Sequence, residues 1–225
     1  MGDVTAPLLV ATGTRREGAV LKGGGLRMVA GGGDGAALAA SLRAGVAAGA
    51  CGIISFGMGG ALDPALGLGE MVIGTQVLGG HAAACDAPWV AALRRALPAA
   101  RLGAVWADGA LCASAAAKAA LFAQGALVVD MESHIAARVA AEAGLPFAIL
   151  RCVSDLAGDD LPPVVSVAMG EGGRLAIGAA AMSVIRQPGQ LVQVARMLRA
   201  FSRGYGAMKG QMAGVGGRLG FDFRE

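Results

Sequence analysis

The feature that most limits the folds open to this chain is a pair of apolar segments, each ending in an acidic motif, with a small-residue segment between them. Residues 126–130 (ALVVD) and 147–153 (FAILRCV) are short and almost continuously apolar, as buried strands are. Residues 133–143 are alanine-rich and stop at Gly144, which is typical of a helix and its end. The order strand, helix, strand predicts an α/β fold.

The same alternation runs through the preceding part of the chain. We predict strands at 7–12, 51–56 and 70–78, and helices at 36–49, 88–97 and 114–123. The glycines of residues 57–64, after the second of these strands, permit close approach of a ligand to the backbone. At 225 residues the chain is long enough to bury a sizeable core within one domain.

The composition excludes several classes of protein. Apolar residues make up 55% of the chain and charged residues 16%, which indicates a buried core and not a disordered chain. The four cysteines are widely spaced and form no CxxC pair, so we expect neither a zinc site nor a disulfide framework, and no metal or cofactor. No apolar run is long enough to span a bilayer, and the start of the chain lacks a signal peptide, so we expect a cytoplasmic protein.

The end of the chain differs from the rest in charge. Residues 183–225 hold seven Lys/Arg against two Asp/Glu, whereas the preceding part holds twelve against fourteen. We expect a domain at 1–180, a basic helix at 181–205 packed on or extending it, and a flexible glycine-rich tail at 206–225.

Part of the basic helix is predicted to be amphipathic. Between residues 190 and 205 the apolar stripe comprises Leu191, Val194, Ala195, Leu198 and Phe201, and the other face carries Arg196, Arg199 and Arg203. Such a helix either covers the core or lies on an anionic membrane surface. Aromatic residues do not alternate with these arginines, which argues against binding to nucleic acid.

Two acidic residues that follow buried strands are candidates for chemistry. Glu132 and Asp155 lie just beyond strands and are expected on one side of the sheet. A carboxylate is costly to keep ionised when it is buried, so it is uncommon there unless it is paired, solvated or functional. Taken singly, Glu132 is equally consistent with a helix-start carboxylate, and Ser154-Asp155 with an ordinary helix cap.

Taken together, residues 128–160 (VVDMESHIAARVAAEAGLPFAILRCVSDLAGDD) closely resemble the signature of the purine nucleoside phosphorylase and methylthioadenosine nucleosidase superfamily. The resemblance extends from about residue 7 to 160 and includes Leu68-Gly69-Glu70 after the glycine loop. It implies a three-layer αβα fold with a central mixed, twisted sheet. It also implies an enzyme that cleaves the bond between a purine and ribose.

The resemblance assigns roles to individual residues. Asp155 would hydrogen-bond or protonate N7 of the purine, and Ser154 would orient Asp155. Glu132 would accept the ribose hydroxyls and stabilise the oxocarbenium-like sugar, and Met131 would pack against the ribose. A carboxylate beside a sugar that becomes cationic stabilises the transition state more than the substrate.

Further residues are implied by the same resemblance. Glu17 aligns with the glutamate that activates water in the nucleosidases, although a solvated loop carboxylate is equally consistent with its position. Leu111 would contact the purine by packing and Cys112 through its backbone. Three residues of the glycine loop would line the substrate site: Gly57, Met58 and Gly59.

The nucleophile is predicted from what the glycine loop lacks. Phosphorylases of this family carry an arginine and a serine that bind phosphate, and this chain has Ser55 and Met58 there. Losing both donors argues against tight phosphate binding, so hydrolysis is favoured. Arg15 and Arg16 keep phosphorolysis open, because a loop arginine after the first strand also contacts phosphate in the phosphorylases.

Within the superfamily the DMESH string and the Leu161-Pro162-Pro163 segment most resemble the hopanoid-associated phosphorylases. That subgroup implies adenosylhopane as the substrate, a lipid-linked purine nucleoside, and membrane contact through residues 190–205. The alternatives are a methylthioadenosine or adenosylhomocysteine nucleosidase, a phosphorolytic enzyme, and a nucleoside-binding module without catalysis. Relatives imply a homodimer or larger homo-oligomer.

Overall fold

A computed structural model of the protein describes residues 6–168, 182, 186, 187 and 189–221. Eight strands form one sheet: β1 (Leu8–Thr12), β2 (Leu26–Ala30), β3 (Gly52–Ala61), β4 (Met71–Gly79), β5 (Ala83–Ala84), β6 (Arg101–Ala107), β7 (Ala126–Asp130) and β8 (Phe147–Asp155). The described helices are α1 (Arg15–Gly18), α2 (Gly35–Ala47), α3 (Ala87–Ala96), α4 (Ala115–Phe122), α5 (Ser133–Ala143), α6 (Pro163–Ala168) and α7 (Gln190–Met212).

The sheet is mixed and partly closed on itself. β3 pairs in parallel with β8, β8 pairs antiparallel with β4, and β4 pairs in parallel with β6. β6 continues in parallel to β7, and β7 returns antiparallel to the end of β3, which completes a ring of five strands. β1 and β2 extend the sheet from the first half of β3.

Helices cover both faces of this sheet and form one large core on each face. Alternate residues of β1 point to opposite faces, as strand geometry requires. Leu9 packs in the core that includes α2 and α5, whereas Leu8 packs in the core that includes α3 and α7. The structure therefore confirms the predicted αβα fold with a central mixed sheet.

The ends of β7 and β8, which precede the two acidic motifs, lie close together because both pair with β3, an arrangement that the sequence did not indicate. β7 and β8 are not neighbours, and they run in opposite directions relative to β3. Gly60 at the end of β3 pairs with Val129 on one side and with Asp155 on the other. The glycine-rich end of β3 therefore brings the ends of β7 and β8 together.

Most predicted elements are present, and the differences have physical causes. The predicted loop from Gly57 is wrong in its first part, because β3 continues as a strand to Ala61. β2 and β6 were not predicted: β2 buries only Val29, and β6 begins with exposed residues, so neither has a continuous apolar run. No described helix is long and apolar enough to cross a membrane.

The expectation of a flexible tail from residue 206 is wrong for residues 206–221. α7 continues to Met212, and the following residues pack against α3. Trp89 Nε1 donates a hydrogen bond of 2.8 Å to the carbonyl of Leu219, and its ring meets that of Phe221 edge to face at 4.7 Å. The pattern was missed because the buried side chains are separated by glycines. Residues 222–225 and the expected boundary at 180 lie outside the described residues.

The two halves of α7 have different surroundings. Gly204, Met208 and Met212 are buried at intervals of four residues, so the second half packs on the sheet. In the first half, two members of the predicted apolar stripe are exposed, Leu191 by 52% and Leu198 by 56%. The stripe therefore does not cover the core over its whole length.

We predict that Phe221→Ala lowers the free energy of unfolding by roughly 3 kcal/mol, because it removes a buried ring and leaves a cavity beside Trp89. Leu198→Ala, at an exposed position of α7, serves as the control and should change stability by less than about 0.5 kcal/mol. Urea denaturation followed by tryptophan fluorescence measures both. Wild-type stability of Phe221→Ala would contradict the packing of this segment.

Candidate active site

Glycines at the end of β3 form one wall of the candidate site, because they let charged side chains approach the backbone. A Cβ on Gly57 would lie 2.6 Å from Glu17 Oε1 and 3.0 Å from Arg151 Nη1. A Cβ on Gly60 would lie 3.0 Å from Asp155 Oδ2. Charged side chains thus approach β3 at two points, one near Gly57 and one near Gly60.

Glu17 is held in a fixed orientation beside Gly57. The residue is only 6% exposed, and the backbone N–H and hydroxyl of Thr14 donate to its Oε2 at 2.6 and 2.8 Å. Its Oε1 accepts from the backbone N–H of Met58 at 2.8 Å. The alternative that Glu17 is a solvated loop carboxylate is therefore wrong.

Met58 contributes only its backbone to this arrangement. Its side chain is buried in the core beneath α7, and a Cβ on Gly204 would lie 2.8 Å from its methyl group. Neighbouring side chains of a strand point to opposite faces, so Met58 points away from the glycine wall. The part of Met58 that adjoins the predicted site is therefore its backbone N–H.

Glu132 lies at the N-cap of α5 but does not cap it. The backbone N–H groups of Glu132 and Ser133 donate instead to Asp130 Oδ1, at 2.9 and 2.7 Å. This excludes the helix-capping role for the Glu132 carboxyl. A Cβ on Gly13 would lie 3.1 Å from Glu132 Oε1 and 3.2 Å from Glu17 Oε2, so the two carboxyl groups flank the same point.

The surroundings of Glu132 favour its protonated form. Burial raises the pKa of its carboxyl to about 7. The charge of Arg151 lowers this pKa, whereas the charges of Asp130 and Glu17 raise it. A carboxyl with this pKa changes its charge near neutral pH.

Arg151 is completely buried in β8 and joins several elements. Its Nε donates to Asp130 Oδ2 at 2.7 Å, and its Nη2 donates to the hydroxyls of Ser55 and Ser133 at 2.5 and 3.1 Å. The remaining nitrogen, Nη1, has no partner among the described residues. Because Nη1 and the Glu17 carboxylate both face Gly57, an unused donor lies on the same side of the wall as Glu17.

Asp155 is held by residues from two other directions. Ser154 Oγ donates to Asp155 Oδ1 at 2.6 Å and also lies 3.1 Å from the carbonyl of Gly59. Lys118 Nζ lies 2.5 Å from Asp155 Oδ2. α6 begins only at Pro163, so the alternative of a helix cap at Ser154-Asp155 is wrong.

The four remaining predicted residues differ in how far they are buried. Leu111 and Cys112 are half-buried, and the charges of Lys118 and Asp155 act on the Cys112 thiol, whose pKa is raised chiefly by burial. Arg15 and Arg16 are exposed. The Arg16 guanidinium lies 4.5 Å from the centre of the Tyr205 ring, and the Tyr205 hydroxyl donates to the carbonyl of Arg16.

Two clefts border the site. One of about 210 Å³ is lined by Met131, Glu132 and the glycines near Asp34. The other, of about 520 Å³, borders Asp155 and extends to α7, where Arg196, Arg199 and Arg203 line it. Glu132 and Asp155 therefore face different clefts.

Three charged residues of the site were missed: Asp130, Arg151 and Lys118. Arg151 interrupts an otherwise apolar strand and Lys118 interrupts a run of alanines, and these two interruptions were usable signals. Asp130 was read only as the end of a strand. Among the described residues no three His, Cys, Asp or Glu side chains are grouped as a metal site requires.

The sequence matches the family described as the phosphorylase superfamily over residues 7–184. No curated protein matches it. The fold is similar to that of the S-adenosylhomocysteine nucleosidase of Streptococcus pyogenes, solved with 5-methylthiotubericidin: identity is 18%, the match covers 90% of this chain and 98% of the other, and the TM-score is 0.60.

Two further solved structures have the same fold. A methylthioadenosine/S-adenosylhomocysteine nucleosidase from Colwellia psychrerythraea, in complex with adenine, is 15% identical over 92% of this chain and 96% of the other, with a TM-score of 0.61. The futalosine hydrolase of Helicobacter pylori is 14% identical over 88% of this chain and 97% of the other, with a TM-score of 0.59.

We predict that Glu132→Gln stabilises the protein above pH 7. The pKa of this carboxyl is 4.5 in the unfolded chain and about 7 in the folded protein, so between these two pH values folding is accompanied by uptake of a proton. The free energy of unfolding therefore decreases as pH rises through that range. Glutamine has no such proton uptake. Its advantage should be about 1 to 3 kcal/mol at pH 8 and should shrink toward pH 5.

Thermal unfolding at the two pH values measures this difference. Glu70→Gln, at an exposed carboxylate, is the control and should not change the pH dependence. Equal or lower stability of Glu132→Gln at pH 8 would show that the carboxyl is not desolvated in the folded protein.

Proposed function

Since the chain belongs to the phosphorylase superfamily, we propose that it cleaves the N-glycosidic bond of a purine nucleoside with water as the nucleophile. The observation that carries this proposal is the arrangement of carboxyl groups along the end of β3. Glu17 and Glu132 lie together at one end and Asp155 lies at the other. A nucleoside likewise has a sugar at one end and a leaving base at the other.

Departure of the base requires that its negative charge be neutralised. Asp155 is assigned to N7 of the purine, where a hydrogen bond or proton transfer makes the base a neutral leaving group. General acid catalysis of this kind accelerates a reaction by about 10² to 10⁴. The bond from Ser154 supports the assignment, because it fixes the orientation of the Asp155 carboxyl.

Stabilisation of the sugar requires an ionised carboxylate. Glu132 is assigned to the ribose hydroxyls and to the positive charge that develops on the sugar, with Met131 against the ribose. Because the pKa of Glu132 is raised to about 7, the ionised form needed for this role predominates above that pH. Positive charge on the sugar would itself favour ionisation of Glu132.

Water is favoured as the nucleophile by the charges beside Gly57. Three carboxyl groups, those of Glu17, Glu132 and Asp130, surround the single guanidinium of Arg151. A phosphate dianion would meet repulsion there, whereas a neutral water can donate to Glu17 and accept from Arg151 Nη1. Glu17 is then positioned to take a proton from that water.

Of the two arginines considered for phosphate, Arg15 is exposed and Arg16 has an aromatic partner. Arg16 lies against the Tyr205 ring. Ser55 stands at the position where phosphorylases carry an arginine, and its hydroxyl accepts a hydrogen bond from the Arg151 guanidinium. These contacts favour hydrolysis over phosphorolysis. The presence of both Glu132 and Asp155 argues against a protein that has kept only nucleoside binding.

Adenosylhopane is proposed as the substrate on the resemblance of the DMESH segment to the hopanoid-associated phosphorylases. Methylthioadenosine and adenosylhomocysteine are the alternative substrates. A lipid-linked nucleoside would make membrane contact useful, and the exposed Leu191 and Leu198 beside the arginines of α7 support such contact. A homodimer or larger homo-oligomer remains part of the proposal.

We predict that the purified protein releases adenine from a purine nucleoside at the same rate with and without phosphate. Adenosine, methylthioadenosine, adenosylhomocysteine and an adenosylhopane mimic should be compared in one assay. Glu17→Gln should lower kcat by about 10² to 10⁴, because the water then lacks its base. Glu70→Gln is the control. Release that requires phosphate and yields ribose 1-phosphate would refute hydrolysis.

Membrane contact makes a separate prediction. Replacing both Leu191 and Leu198 by glutamate should lower binding to phosphatidylglycerol vesicles by at least about tenfold, since two apolar insertions and part of the charge attraction are lost. Leu102→Glu, at an exposed leucine of β6, is the matched control. Sedimentation with vesicles measures the bound fraction. Equal binding by the double variant and the control would refute contact through α7.

A further inference from the structure

The residue that α4 buries is a lysine. Lys118 is its only buried residue and is 0% exposed, although the helix is otherwise built of alanine, leucine and phenylalanine. Burying an ammonium group costs several kcal/mol unless other groups compensate it. An apolar side chain would fill the same space without this cost. A role that requires the charge or the proton would explain why lysine stands at this position.

The ammonium group of Lys118 has an acceptor for each of its three protons. Nζ lies 2.5 Å from Asp155 Oδ2, 2.8 Å from the carbonyl of Leu156 and 3.0 Å from the carbonyl of Asp159. These contacts connect the lysine directly to the carboxyl group assigned to the base. The Asp155 side chain is 16% exposed, so Asp155 separates Lys118 from the cleft.

The hydrogen bonds around Asp155 accommodate both of its protonation states. Ser154 Oγ lies 2.6 Å from Asp155 Oδ1 and 3.1 Å from the carbonyl of Gly59, but it has one proton to donate. When Asp155 is ionised, Ser154 donates to it. When Asp155 is protonated on Oδ1, it donates to Ser154, which then donates to Gly59. The Ser154 hydroxyl therefore has an acceptor for its proton in either charge state of Asp155.

We propose that Lys118 supplies, through Asp155, the proton that the departing purine takes up. This rests on the proposed function of the site. The step starts with Lys118 as an ammonium and Asp155 as a carboxylate. One N–H bond of Lys118 breaks, its electron pair stays on Nζ, and the proton goes to Asp155 Oδ2. As the bond from C1′ to the base breaks, its electron pair goes to the base, and N7 takes that proton from Asp155, which becomes a carboxylate again. After the base leaves, solvent returns a proton through Asp155.

The choice of lysine fits this role better than a purely electrostatic one. A guanidinium holds the same charge but does not give up its proton in proteins, whereas a buried lysine can. Lys118 acts through Asp155 and does not itself touch the substrate, so it is a positioning and proton-supplying residue. A purely structural lysine would affect every substrate equally.

The test compares leaving groups that need a proton with one that does not. Lys118→Met should lower kcat/KM for the purine nucleoside by about 10² to 10⁴. The same variant should change kcat/KM by less than about threefold for a 4-nitrophenyl riboside with the same 5′ group, since nitrophenolate departs unprotonated. Asp155→Asn should give the same selective loss. Lys209→Met, at an exposed lysine, is the control and should leave both values unchanged.

The ratio of the two kcat/KM values comes from one preparation, so it does not depend on the fraction of the variant that folds. A ratio for Lys118→Met equal to that of the wild type would overturn the proposal. Lys118→Arg, which retains the charge, should show the same selective loss as Lys118→Met. Restoration of purine cleavage by arginine would show that charge alone suffices and would also overturn it. Wild-type protein that releases no purine would instead refute the proposed function.

Discussion

The buried ion pair between Arg151 and Asp130 is the interaction on which the rest of the site depends. Taking two charges out of water costs several kcal/mol each, so such a pair persists only when hydrogen bonds satisfy its remaining atoms. Asp130 accepts from Arg151, from the Ser133 hydroxyl and from two backbone N–H groups at the start of α5. Arg151 in turn reaches Ser55 on β3. The pair thereby connects β7, β8, β3 and α5, which carry or adjoin all the proposed functional groups.

The same pair explains why the site is electrostatically strained near Gly57. Burial raises the pKa of Glu132 to about 7, and the charges of Asp130 and Glu17 add to this rise, although the charge of Arg151 opposes it. Carboxyl groups placed this close destabilise the folded state whenever both are ionised. Sites that stabilise a cationic transition state have this property, because the charge that relieves the repulsion appears only during the reaction. Near Gly60 the situation is reversed, since Asp155 has Lys118 as a dedicated partner.

Much of the fold could be predicted because its central segments have strong local patterns. The limits of 126–130 as a strand and 133–143 as a helix agree with the structure, since apolar runs and a terminal glycine mark them. β2 was missed because an edge strand buries few side chains. The tail was misjudged because its buried residues contact α3, more than a hundred residues earlier. Glu132 and Asp155 were singled out by their positions after buried strands, and Glu17 by resemblance. Lys118 contacts Asp155 across 37 positions, a relation that no local pattern reveals.

The glycines of β3 explain how one strand can serve two clefts. At Gly57 the φ angle of +152° is rarely adopted by residues with side chains, and a Cβ there would collide with Glu17. At Gly60 a Cβ would press on Asp155, and at Gly59 it would lie 3.1 Å from the carbonyl of Val129. Side chains at these positions would force the carboxyl groups apart and would separate β7 from β3. In the function proposed above, their absence lets a nucleoside lie against the backbone, with its sugar toward Glu132 and its base toward Asp155.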